Sequence, residues 1–383
     1  MIPLSVPYIS GNEWRYLKEC LDSGWVSYGE YIEEFEKSIC KFTQAKHAIA
    51  CVNGTAALQV AARVGGVLPG DEVIVPTVTF IASINIIRYL GAEPIFMDCD
   101  DHYNIDMEKT IQFIERQTIF KNGRTLNRIS GRRVSAIIPV HIFGNAVNLD
   151  PLIQICKERN IRIVEDATES LGTYYVDGSI KNRYAGTVGD IGCYSFNGNK
   201  IITTGGGGMV VTDNEEYAAR TRYLINQAKD DSVRYIHNET GYNFRLTNIQ
   251  AAIGVAQLEK LPNFIRIKKE NFQYYCKEIN QIEGLRLAAV PGFANSNYWM
   301  YALQVCREVY GKDRDELMSH LAENGVETRP LWYLNHLQAP YKDCENYYIK
   351  KAFEMFNKTL NIPCSVSLSR EQIDDVIRCL KER

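Results

Sequence analysis

Apolar positions in the first 260 residues fall into two alternating rhythms. Short continuous runs at 47–52, 72–76, 94–98, 134–140, 161–164, 191–196 and 209–211 have the length and β-branched content of buried strands. Between them, segments with apolar residues three and four apart predict helices over 81–90, 107–116, 149–159, 215–225 and 247–261. A further helix, A-A-L-Q-V-A-A-R, follows Asn53–Gly54–Thr55. Helical spacing also marks 13–23 and 31–42, separated by G-W-V-S-Y-G at 24–29. Residues 118–133 are polar and irregular and read as a surface loop. Strands alternating with helices over this distance predict an α/β fold, a mainly parallel sheet covered on both faces.

Pro262 starts a long amphipathic stretch to Ile282, which reads as a connector. Beyond it, strands near 298–305 and helices near 314–324 and 370–381 read as a small α/β domain. The expected division is 1–261, a large domain with an N-terminal lead-in, and 262–383, the connector and a smaller C-terminal domain. Residues 326–336, V-E-T-R-P-L-W-Y-L-N-H, have the mixture of a binding loop, with Arg329, Trp332 and His336 as candidate contacts. The Trp25–Ser27–Tyr28 turn reads equally as a substrate lip or a packed connector.

Composition changes this picture little. With 43 basic and 46 acidic residues, the net charge of −3 gives no electrostatic reason to expect nucleic acid or an anionic membrane as partner. No apolar run approaches the ~20 residues that span a bilayer, and no signal peptide is evident, so a cytoplasmic protein is expected. Eleven cysteines without any C-x-x-C pair read as reduced, several of them buried, such as Cys51, Cys99 and Cys193. The six histidines show no metal-ligand spacing.

In parallel sheets ligands sit at the C-terminal strand ends. The polar and aromatic groups falling there are Thr55, Thr79, Phe80, His141, Asp166 and Ser195. Gly54 and Thr55 stand at a strand-to-helix junction, where free backbone N–H groups suit a phosphate, although N-G-T is also an ordinary helix cap. Asp166 ends an apolar strand as a candidate functional acid, a helix cap being the alternative. Lys200 lies 34 positions later, before four consecutive glycines, Gly205 to Gly208. Such a run implies a backbone that bends sharply or approaches something closely. A lysine at the mouth of a sheet with few charges beside it is a candidate Schiff-base nucleophile; a solvated loop lysine is the alternative.

The glycine run is not G-x-G-x-x-G and precedes a strand, and Lys200 is not set in a P-loop. Pyridoxal phosphate needs the set that remains. Its aldehyde takes a lysine, its ring nitrogen a carboxylate, its phosphate N–H and hydroxyl donors, and its ring a flat apolar side chain. Lys200, Asp166, Thr55 with Ser195, and Phe80 would fill those roles.

Together and in order, several stretches resemble the DegT/StrS-type nucleotide-sugar aminotransferases, fold type I pyridoxal phosphate enzymes. They are G-W-V-S, N-G-T-A-A-L, G-D-E-V-I-V-P-T-V-T-F, P-V-H-I-F-G, V-E-D-A, G-D-I-G-C-Y-S-F-N-G-N-K, G-G-M-V-V-T-D, G-Y-N-F-R-L-T-N-I-Q-A-A and R-P-L-W…H. The resemblance implies that Lys200 carries the cofactor and shuttles protons, that Asp166 meets the pyridine nitrogen, and that Phe80 stacks on the ring. It places Gly54, Thr55 and Ser195 on the phosphate, with Asn243 reaching the phosphate of a neighbouring subunit, so a homodimer with shared active sites is implied. The amino donor implied is L-glutamate and the acceptor a keto carbon of a nucleotide-linked 6-deoxy hexose. Two departures stand out: Glu169 where the family commonly has glutamine, expected on the cofactor hydroxyl or the sugar, and an all-glycine run where it often has G-E-G-G. The wording of G-W-V-S, E-D-A-T-E-S and N-G-N-K-I-I-T-T is similar to the subgroup making 4-amino sugars for acids such as legionaminic acid. That likeness implies a UDP-2-acetamido-2,6-dideoxy-hexos-4-ulose acceptor. A sugar dehydratase of the same fold, a 3-keto-sugar aminotransferase and a non-catalytic cofactor-bound regulatory protein are the rival readings; the presence of Lys200 argues against the dehydratase, and retention of both Lys200 and Asp166 against the regulatory protein.

Overall fold

A computed structural model describes residues 1–382. Its centre is an eight-stranded sheet in the order His47–Cys51, Gly208–Thr212, Ile191–Ser195, Arg162–Asp166, Val134–Ile137, Glu72–Pro76, Glu93–Met97, Asn346–Tyr347. Gly208–Thr212 pairs antiparallel with both of its neighbours, and the remaining pairs are parallel. The seven other strands therefore run one way and end on one rim.

Successive strand residues point to opposite faces, and both faces are apolar. Ile49, Cys51, Val73 and Val75 pack with the helix Gly54–Val64 on one side. Ala48, Ala50 and Met209 face the helices Glu30–Thr43 and Asn248–Ile279 on the other, and Ile74, Ile95, Ile137 and Ile163 continue that side. This two-sided covering explains why the strands read as continuous apolar runs.

Two expectations are corrected. Residues 118–133 are not an irregular loop throughout: Thr118–Lys121 and Arg124–Asn127 form an antiparallel hairpin, turned at Asn122–Gly123 with φ of 51° and 74°. Pro262 does not begin a separate connector. One helix runs from Asn248 to Ile279 with Pro262 inside it. Proline removes one helical N–H, but Leu258, Leu261 and Phe264 are all buried on the same core, so packing carries the helix through the gap.

A second, antiparallel sheet has the order Leu285–Leu287, Tyr301–Val305, Thr359–Ile362, Arg329–Pro330. The helices Arg314–Glu323 and Arg370–Lys381 cover it through Leu317, Leu321, Ile373 and Val376. Later residues also reach back to the large sheet. Asn346–Tyr347 adds to its edge, and the buried Asp98 carboxylate accepts the Lys350, Lys351 and Ala352 amides at 2.8–2.9 Å.

Candidate active site

The rim is built first by backbone. Asn53 caps the helix Gly54–Val64: its Oδ1 accepts the Ala56 amide at 2.8 Å and its carbonyl the Ala57 amide at 3.1 Å. The Gly54 and Thr55 amides are left at the open helix end, a ready site for an anion. Ser195 stands against them, since a Cβ on Gly54 would lie 2.8 Å from Ser195 Cβ. The glycine run supplies both properties expected of it. Gly205 turns the chain at φ 79°, and Gly208 approaches so closely that a Cβ there would lie 2.4 Å from the Asn53 carbonyl oxygen and 2.8 Å from the Gly54 nitrogen. Gly208→Ala should therefore displace the helix end, weaken cofactor retention in equilibrium dialysis, and lower stability by about 1–3 kcal/mol, the usual cost of overpacking.

Asp166 is 2% exposed. Its Oδ2 accepts the Ser83 hydroxyl at 2.5 Å and its Oδ1 the Thr168 amide at 3.1 Å. The capping alternative is thus partly realised, but two donors leave a buried carboxylate with spare acceptor capacity. Only 13% of the Lys200 side chain is exposed, and Nζ is 3.8 Å from Glu169 Oε1. Burial lowers the proton affinity of Lys200, opposed by Glu169 and Asp166. Burial likewise pushes the Glu169 carboxyl up to about 7, opposed by Lys200 and by the Phe143 amide, which Oε2 accepts at 2.8 Å. Both shifts favour an uncharged amine, the form that attacks a carbonyl.

Phe80, 55% exposed, stands on the same rim after the strand Glu72–Pro76. Trp332 is half-buried and stacks on Phe143, centroids 5.2 Å apart, which ties the 326–336 loop to the Glu169 side. His141 is a correction. Its ring is fully enclosed: Nδ1 accepts the Val147 amide at 3.0 Å, so the proton lies on Nε2, donated to Glu165 Oε2 at 2.9 Å. Glu165 in turn accepts the Gly186, Val188 and Gly189 amides. His141 is a bracket between strands, without a free face for substrate. His336 is also nearly enclosed, with Nδ1 2.7 Å from Thr77 Oγ1. Arg329 is exposed and paired with Glu327 at 2.6 Å.

Trp25 and Tyr28 line a different cavity of about 960 Å³, together with Arg222, Asn226 and Arg245. Arg245 lies over the Tyr28 ring at 4.5 Å. Lys200 and Asp166 are not among its walls. Ser27 is exposed, and so is Asn243, which bridges Asn226 in a segment running beside Cys51–Val52. Sequence reasoning missed Ser83, Phe143 and Trp299. Ser83 carried a weak signal as a hydroxyl just after Phe80; the aromatics have side chains that read equally as core.

The demands of pyridoxal phosphate fit these residues: a buried amine, a buried carboxylate with unused acceptor capacity, and open amides beside a hydroxyl. Two relatives named GDP-perosamine synthase align along nearly their whole length. That of Caulobacter vibrioides is 36% identical over 386 residues, covering 100% of this chain and 98% of its own. That of Escherichia coli O157:H7 is 37% identical over 383 residues, again with 100% and 98% covered. Among solved structures, the pyridoxal-phosphate form of the putative sugar aminotransferase Spr1654 from Streptococcus pneumoniae superposes with a TM-score of 0.87 at 26% identity, covering 100% of this chain and 97% of its own. The fold is that of the type I aminotransferases, a mostly parallel sheet with a smaller antiparallel one. Residues 7–381 match the DegT/DnrJ/EryC1/StrS aminotransferase family, and the chain belongs to it.

Proposed function

We propose that this pyridoxal-phosphate-dependent nucleotide-sugar aminotransferase moves an amino group from L-glutamate to the C4 keto carbon of a GDP-linked 4-keto-6-deoxy hexose. The observation that carries the chemistry is the buried Lys200 amine beside Glu169, on the rim that also holds Asp166 and the open Gly54–Thr55 helix end. When bound, the cofactor supplies an electron sink for the carbon that exchanges its proton. Lys200 moves that proton. Asp166 keeps the ring nitrogen protonated, Gly54, Thr55 and Ser195 hold the phosphate, and Phe80 covers the ring.

The GDP assignment rests on the names of the two relatives. It displaces as first reading the UDP-2-acetamido sugar of legionaminic-type pathways, which rests on motif wording alone. Trp25 and Tyr28, which line a cavity that Lys200 does not, and the exposed Ser27 fit a homodimer in which a lip and Asn243 serve the neighbour's site. Among the described residues no helix is long and apolar enough to cross a membrane, and we place the reaction in the cytoplasm.

The test is spectroscopic. L-Glutamate should bleach the visible band of the cofactor-loaded protein, and a GDP-linked 4-keto-6-deoxy sugar should restore it. Restoration by the UDP-acetamido sugar instead would favour the second reading. A band unmoved by glutamate or any other amino acid would overturn amino transfer and leave the dehydratase or a regulatory protein.

A further inference from the structure

The Lys200 nitrogen has a second neighbour besides Glu169. The ring of Trp299 lies beneath it, with Nζ 4.1 Å from a ring centroid. Trp299 is 3% exposed, and its indole N–H donates to the Asn199 carbonyl at 2.7 Å, one residue from the lysine itself. The aromatic face therefore cannot turn away from Nζ without breaking a bond to the lysine's own loop. An aromatic face attracts a cation, more strongly when water is excluded.

One residue fixes both neighbours. The fully buried Asn297 accepts the Trp299 amide on Oδ1 at 2.9 Å and donates Nδ2 to the Glu169 and Leu171 carbonyls at 2.9 and 3.0 Å. Gly144, at φ 87°, makes the room: a Cβ there would lie 1.9 Å from Asn297 Oδ1. The Phe143 amide takes Glu169 Oε2 and leaves Oε1 to face the lysine. Asp166 is the other carboxylate whose charge acts on Lys200.

We propose that Trp299 and Glu169 are positioning residues that keep the Lys200 nitrogen cationic while it carries the cofactor, with Asn297 setting both from one bracket. This rests on the cofactor assignment above. Burial alone works against a charged nitrogen, and the carboxylate and the indole face oppose that bias. A charged nitrogen makes the carbon bound to it the better target for an incoming amine. The pair therefore sets how far into alkaline pH the enzyme stays ready for its amino donor.

The experiment is a pH titration of the visible band of the cofactor-loaded protein, read without turnover, for the parent, Glu169→Gln and Trp299→Leu. Removing a carboxylate about 4 Å away should lower the midpoint by about one to three pH units. Removing the aromatic face should lower it by about half a unit to one and a half. An unmoved midpoint in either variant overturns that residue's part. If Trp299→Leu does not fold, Trp299→Phe replaces it; that variant keeps a weaker face, so its midpoint should fall by less than the leucine value, and no fall overturns the indole's role. A parent protein with no visible band would instead refute the cofactor assignment.

Discussion

Lys200→Ala should abolish amino transfer while leaving the protein folded. The lysine is assigned two tasks, linkage to the cofactor and proton movement at the reacting carbon, and alanine performs neither. General acid–base work alone contributes about 10²–10⁴-fold, so the combined loss should exceed about 10⁴-fold in the glutamate half-reaction. Folding should survive because the loop is held by backbone: the Lys200 amide donates to Asn197 at 3.0 Å and the Thr204 amide to Phe196 at 2.9 Å. Glu169, left without its cation, can take a proton, since burial already holds its carboxyl at about 7 beside the lysine. Thermal unfolding should therefore remain cooperative, and cofactor should bind through the Gly54–Thr55 end without the lysine-linked visible band. Undiminished turnover would remove Lys200 from the mechanism.

What the sequence made legible here follows from where information is local. Glu72–Pro76, Met107–Arg116 and Glu215–Ile225 end where the pattern places them, because apolar period and capping residues lie within the segment. Asp106 and Asn214, for example, cap their helices with their own side chains. Asp166 could be singled out because a charged residue at the end of an apolar strand is conspicuous, and Lys200 because it stands shortly before four consecutive glycines. Pro262 misled because a local helix-breaking signal was overridden by packing on Leu258, Leu261 and Phe264. His141 misled for a related reason: the strand end placed it on the rim, but the partner that turns it inward, Glu165, lies 24 residues away. Trp299 and Asn297 were invisible because their meaning depends on a contact with residues about 100 and 128 positions earlier.

Asp166→Asn should slow the chemistry by about 10⁴-fold, the scale seen when a buried carboxylate partner becomes an amide in another active site. The substitution preserves shape. The amide oxygen can still accept the Thr168 N–H, and the amide nitrogen can donate to Ser83, whose hydroxyl can turn to accept. What it removes is charge at a position 2% exposed to solvent, where no water can replace it. A ring nitrogen facing an amide donor instead of a carboxylate loses its proton, and with it the capacity to draw electrons from the reacting carbon. Binding of substrate depends on other groups, so the loss should fall on kcat with KM little changed, and the lysine-linked visible band should persist. Rapid mixing with L-glutamate measures this directly. A near-normal rate of bleaching would mean that another residue holds the ring nitrogen's proton and that Asp166 serves chiefly to anchor Ser83 and the Thr168 turn.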